Sequence, residues 1–152
     1  GYARLAREQN IPIAAGEWLA TRYEFLDLMD RGRVHVVQPD VGRVGGFTEC
    51  RRVCDLAAAR GLTVVPHLWK TGLSIAAAVH MAAATPHCAF IEYLPDDLCA
   101  SRLRKELITG TPAMSNGAIN VPRTPGLGVA INRDALEEFK RAAAAKHPFA
   151  AM

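Results

Sequence analysis

The sequence predicts an α/β fold of four parallel strand–helix units, and two observations carry that prediction. Four apolar runs of strand length each end on a residue able to do acid–base or metal chemistry: 11–16 before Glu17, 34–39 before Asp40, 63–66 before His67 and 88–91 before Glu92. The steps between those residues are 23, 27 and 25, about the length of one strand–loop–helix–loop unit. Parallel strands of one sheet end on the same side, so the rhythm gathers four functional groups at one mouth. A (β/α) barrel builds its active site in this way, from the ends of several different strands.

Each element has its own local reason. Residues 2–9 read as an amphipathic helix stopped by Asn10 and Pro12, followed by a strand over 11–16. Thr21 to Asp30 is predicted helical, with Tyr23, Leu26 and Met29 or Asp30 on one face and Gly32 as its stop. After the strand 34–39, Gly45-Gly46 turns the chain into a helix from Thr48 to Arg60. Its buried stripe is Cys50, Val53, Cys54 and Ala57, and Gly61 is its C-cap. A strand over 63–66, a helix over 73–84 and a strand over 88–93 complete the fourth unit. The strands are continuous apolar runs, which predicts a sheet covered on both faces.

Beyond Leu94 the rhythm stops. Residues 96–107 read as a helix or a helix–strand mixture, and 110–128 as a long loop with one short strand near Ile119. Asp134 to Ala145 is a terminal helix capped by Asn132. The expected division is therefore a partial barrel over 1–109 and a different C-terminal segment over 110–152. Four strands do not close a barrel, and an open half leaves two unpaired edges and an apolar face. Either the missing half lies upstream in a longer protein or the piece pairs with another chain. The abrupt helical start without an initiator Met agrees with a cut through a longer protein, and no signal peptide is evident.

Composition narrows the classes of function. Half the residues are hydrophobic and 22% are charged, which suits a globular protein with a sizeable core. The net charge of +3 is spread out. The basic clusters Arg51-Arg52 and Arg102, Arg104, Lys105 read as solvated helix faces, which argues against a nucleic-acid stripe. Leu73 to Ala84, the longest apolar stretch, is too short to span a bilayer. The four cysteines make neither a C-x-x-C pair nor a zinc pattern, so free thiols in a reducing cytoplasm are expected.

The four strand-end residues divide the chemistry. Glu17, after Gly16, is a candidate carboxylate ligand for a hard cation such as Mg²⁺, or else a surface residue capping the next helix. Asp40 alone reads as a turn or N-cap residue. His67 ends the neighbouring strand at the same level. An adjacent carboxylate orients the imidazole and makes it a competent general base. Glu92 is a candidate to hydrogen-bond a developing negative charge or to bind metal. Other motifs fall short: Gly42-x-x-Gly45-Gly46 is not a dinucleotide fingerprint, and Ser74 and Ser115 lack a nucleophile-elbow context. His80 reads as a packed helical residue, and Lys70 as a solvated loop lysine.

The segments Ala15–Glu17, Gln38–Asp40 with Gly45-Gly46, Pro66-His67 and Ile91–Tyr93 resemble the C-terminal half of the enolase superfamily, mandelate racemase/muconate lactonizing enzyme type. Val121-Pro122 and Pro125–Gly128 resemble the tail of the same group. The resemblance implies a modified (β/α)₇β barrel capped by an α+β domain, to which the segment from about Gly110 would return. It implies Glu17 as one Mg²⁺ ligand, Asp40 and His67 as the dyad that moves a proton α to a carboxylate, and Glu92 as the partner of the resulting enediolate. It also implies a small-molecule carboxylate substrate and a homo-oligomeric full-length protein. The family's first two metal ligands and its Lys-x-Lys motif belong to earlier strands, so this chain alone is expected to be inactive. Arg22–Phe25 and Arg43–Glu49 resemble the acid-sugar dehydratases most, with a 2-hydroxy-acid racemase or epimerase as the alternative. A non-catalytic half-barrel fragment is the third reading.

Overall fold

A computed structural model describes residues 1–99 and 101–146 of the chain. Strands β1 (Ala14–Ala15), β2 (Val36–Val37) and β3 (Thr63–Val64) form a parallel sheet in sequence order, with Ala14 beside Val36 and Val36 beside Thr63. Strands β4 (His67–Leu68) and β5 (Glu92–Tyr93) pair in parallel with His67 beside Glu92. Pro66 separates β3 from β4 because it has no N–H to give to a ladder. The backbone nevertheless stays joined across the gap. Val65 N–H donates to the Val37 carbonyl (3.0 Å), His67 N–H to Pro39 (3.2 Å) and Glu92 N–H to Pro66 (3.0 Å). The four expected strand segments therefore stand side by side in chain order. All are shorter than expected, and in the last Glu92 opens the strand, because residues 88–91 lie outside it.

The helices pack on one face only. Helices α2 (Thr21–Asp27), α4 (Gly46–Ala58) and α5 (Gly72–Ala83) cover the row Ala15, Val37 and Val64, which is buried. The opposite row is Ala14 and Thr63, exposed, with Val36 half-buried. A small and a polar side chain in that row gain little from cover, so the expectation of a sheet buried on both faces is corrected here. On α4 the stripe Cys50, Val53, Cys54 and Ala57 is buried as the spacing required. On α2 the buried residue is Phe25, continued by Leu28 and Met29, while Tyr23 points to solvent. That helix runs into a π turn over Leu28–Gly32 and stops at Arg33 in the left-handed region (φ 56°), one residue beyond the expected glycine. Two short helices, α1 (Tyr2–Glu8) and α3 (Val41–Val44), complete the first half; α3 was not anticipated.

The C-terminal part carries more pairing than the sequence suggested. Strand β6 (Ile108–Thr109) follows helix α6 (Arg102–Glu106) and pairs antiparallel with β9 (Ala130–Ile131). Strands β7 (Met114–Ser115) and β8 (Ala118–Ile119) form a hairpin across Asn116-Gly117. Both turn residues have positive φ (51° and 75°), as a type I′ turn requires. Helix α7 (Arg133–Lys146) starts as expected, with Asn132 Oδ1 accepting from Ala135 N–H (3.2 Å).

Arg104 contradicts the reading of its cluster as a solvated face. It is only 2% exposed, stacked on Tyr93, and donates from Nη2 to the Leu94 carbonyl. Its helix lies against the chain just after β5, and position 104 faces inward while Arg102 and Lys105 face out. Among the described residues no helix is long and apolar enough to cross a membrane.

Candidate active site

Although His67 and Glu92 open β4 and β5 and do not end them, three of the four candidate residues, Glu17, His67 and Glu92, line one cleft of about 390 Å³ with Gln38, Trp18, Arg43 and Trp69. Glu17 reaches it because the chain turns sharply at Gly16, where φ is 127°. A Cβ at Gly16 would stand 2.7 Å from Phe25 Cε1, so only glycine lets β1 end this close to the core.

Asp40 sits behind His67 and is 2% exposed. It caps α3, its Oδ1 accepting from Gly42 N–H at 2.8 Å. Its Oδ2 lies 3.3 Å from His67 Nδ1. A carboxylate only accepts, so the hydrogen of this contact belongs to Nδ1, and Nε2 of the neutral ring is left as the acceptor. The imidazole is also stacked against Trp69, with ring centres 5.6 Å apart. Asp40 Oδ2 has a second partner, Lys70 Nζ at 3.1 Å. Lys70, expected to be a solvated loop residue, is thus part of the site. Its position three residues after His67 was visible in the sequence, but the turn that brings it back was not.

Glu92 accepts from Gln38 Nε2 at 2.8 Å. The Arg43 guanidinium carbon lies 4.0 Å above the centre of the Trp18 ring, with both residues on the cleft wall. Sequence reasoning passed over Gln38 and Arg43, since nothing in their local pattern sets them apart from polar residues around a turn. His80, as expected, is a packed helical residue, half-buried with Nε2 3.2 Å from the Leu127 carbonyl. His35 accepts from Ile13 N–H (3.0 Å) outside the cleft.

The chain's own donors do not fit a Mg²⁺ ion. Among the described residues no group of three or more His, Cys, Asp or Glu side chains could hold a metal. Asp40 is engaged by Gly42, His67 and Lys70, and Glu92 by Gln38, which leaves Glu17 as a lone carboxylate. Mg²⁺ demands octahedral oxygen coordination with more charge than one side chain brings.

The enolase C-terminal domain-like family matches residues 1–135. The chain belongs to the enolase superfamily. Within it the solved structures of similar fold include mandelate racemase/muconate lactonizing enzyme types. D-galactarolactone cycloisomerase of Agrobacterium fabrum is 38% identical over 144 residues, which is 91% of this chain and 38% of that protein. Arabinonate dehydratase of Saccharolobus solfataricus is 36% identical over 138 residues, 91% of this chain and 36% of that protein. The crystal structure of 3,6-anhydro-D-galactonate cycloisomerase from Zobellia galactanivorans superposes with a TM-score of 0.82 at 36% identity, covering 90% of this chain and 38% of that one. This chain therefore spans well under half the length of these superfamily members.

Proposed function

We propose that this chain carries the general base of a sugar-acid dehydratase, with His67 removing the proton α to the substrate carboxylate. The observation that carries the reading is the contact between buried Asp40 and the Nδ1 side of His67, which leaves Nε2 as acceptor on the wall of the cleft. In the proposed reaction Nε2 takes the α-proton, and the C–H electron pair moves into the carbon–carbon bond of an enediolate. Glu92 donates a hydrogen bond from its carboxyl O–H to that enediolate. The β-hydroxyl then leaves with the electron pair of its C–O bond, collects the proton held by His67 and departs as water. The resulting enol tautomerises to a 2-keto acid.

The relatives' names support a sugar acid as substrate, and superfamily members are generally Mg²⁺-dependent. In our reading Glu17 is this chain's contribution to such a metal site, and the other ligands come from outside these residues. Residues 1–109 would be part of an enolase-type barrel and 110–152 the return toward its capping domain, so the 152-residue piece alone should show no turnover. The test uses a longer protein that contains this chain, incubated with sugar acids and Mg²⁺ in deuterated water. A 2-keto acid product that disappears in His67→Asn is expected. Deuterium at the α-carbon without keto acid would instead make the protein a racemase or epimerase, and exchange that survives His67→Asn would remove His67 as the base.

A further inference from the structure

Arg43 is the cationic lining residue of the cleft that the proposed chemistry leaves unused. It stands on the short helix α3, directly after Asp40, and its guanidinium carbon lies 4.0 Å from the centre of the Trp18 ring. A guanidinium held over an indole face by cation–π attraction keeps N–H donors for a further partner. The neighbouring charges are spoken for: Arg22 and Arg52 pair with Glu49, and Lys70 pairs with Asp40. Among the described residues no carboxylate lies within ion-pair distance of Arg43. Glu17 shares the cleft with it and repels an anion. A second negative group on a bound ligand therefore has one favourable place, the Arg43 edge.

We propose that Arg43, held by Trp18, is the subsite for the second carboxylate of a sugar diacid, so that the preferred substrate class is an aldarate rather than an aldonate. This rests on the proposed function, because the first carboxylate is the one beside the carbon that loses its proton to His67. The fork of an arginine takes a carboxylate with two parallel hydrogen bonds, which a terminal hydroxymethyl group cannot reproduce. A hydroxymethyl end would also leave the guanidinium without an anionic partner in a partly closed cleft, so the site discriminates against the monoacid as well as favouring the diacid. The cleft volume of about 390 Å³ lies in the ordinary range for small-molecule sites.

A longer protein that contains this chain is titrated by calorimetry with galactarate and, separately, with galactonate, which differs from it at one terminal carbon. Galactarate is expected to bind about tenfold tighter or better, as a charged hydrogen-bonded contact warrants. Arg43→Gln should abolish that preference and Arg43→Lys should keep part of it. Circular dichroism shows whether each variant is folded, and Trp18→Phe, which keeps an aromatic face under Arg43, should retain the preference. Equal affinity for the two acids, an unchanged preference in Arg43→Gln, or no binding of either acid overturns the subsite. Its failure is separable from that of the catalytic reading. His67-dependent α-proton exchange on galactonate with no diacid preference leaves the base assignment intact, and a diacid preference without His67-dependent exchange leaves only the subsite.

Discussion

Gln38 and Glu92, 54 positions apart in the chain, are joined by a 2.8 Å hydrogen bond that spans the strand carrying His67. The amide fixes the Glu92 carboxyl group at the level of the imidazole, since Glu92 is the direct register partner of His67. In a longer protein that contains this chain, Gln38→Leu should slow α-proton exchange by about tenfold, the cost of a misplaced group in a preorganised site. The far-ultraviolet spectrum should stay unchanged. Exchange at the original rate would mean that Glu92 holds its place without Gln38.

Asp40 has two separable duties, capping α3 through Oδ1 and facing His67 and Lys70 through Oδ2. Asn can still cap a helix but brings no charge to its partners. We predict that Asp40→Asn folds with a midpoint close to the parent while base-dependent exchange is lost. Asp40→Ala should lose both, with about 1–3 kcal/mol of destabilisation from the cap and the unpaired donors. Urea denaturation separates the cases, and equal stability of the two variants would contradict the division of roles.

Gly16 combines a backbone φ of 127° with the nearest contact of its missing Cβ at 2.7 Å on Phe25. Gly16→Ala should therefore lower unfolding stability by about 2–4 kcal/mol, from strain and overpacking together. Gly46 has φ 80° but open space around it, so Gly46→Ala should cost less, the strain alone. Chemical denaturation of both variants tests this ordering, and a larger loss at Gly46 would refute it.

Burial pushes the Cys88 thiol up to about 11 from its ordinary 9.0, with Cys54 adding to the shift. The folded state then holds a proton that the unfolded chain has already released, so stability is fully present below pH 9.0 and falls as pH rises toward about 11. Cys88→Ala should lessen the fall of the urea midpoint across that window without removing it, because contact with Cys54 and burial push the Cys50 thiol up as well. Persistence of the full alkaline slope in this variant would assign it to other groups.

Arg104 is buried with Nε and Nη1 lacking partners among the described residues, while its carboxylate partner Asp96, 3.3 Å away, is more than half exposed. A buried charge so incompletely satisfied gives little net stability, and an apolar side chain of similar length can replace it. Arg104→Met is expected to match or exceed the parent in thermal midpoint. A loss of more than about 3 kcal/mol, the scale of breaking a needed buried pair, would show that the guanidinium is structurally required.

The sequence by itself determined the order of the four strand–helix units, the buried stripe of α4, the Asn132 cap and the neighbouring placement of Glu17, Asp40, His67 and Glu92. These are local or periodic properties: a 3.6-residue repeat names the inward face of a helix, and equal spacing of strand–helix units puts their ends together. The Asn116-Gly117 turn was equally legible in principle, as a dipeptide signal for a hairpin that the length of the surrounding loop concealed. Only the tertiary structure decided that Lys70 folds back onto Asp40, that Arg43 lies on Trp18, that Gln38 reaches Glu92 and that Arg104 is enclosed. It also decided that the helices cover one face of the sheet and leave Ala14 and Thr63 bare. Periodicity says which way a side chain leaves its own element; what stands opposite depends on segments tens of residues away, and no local pattern encodes that.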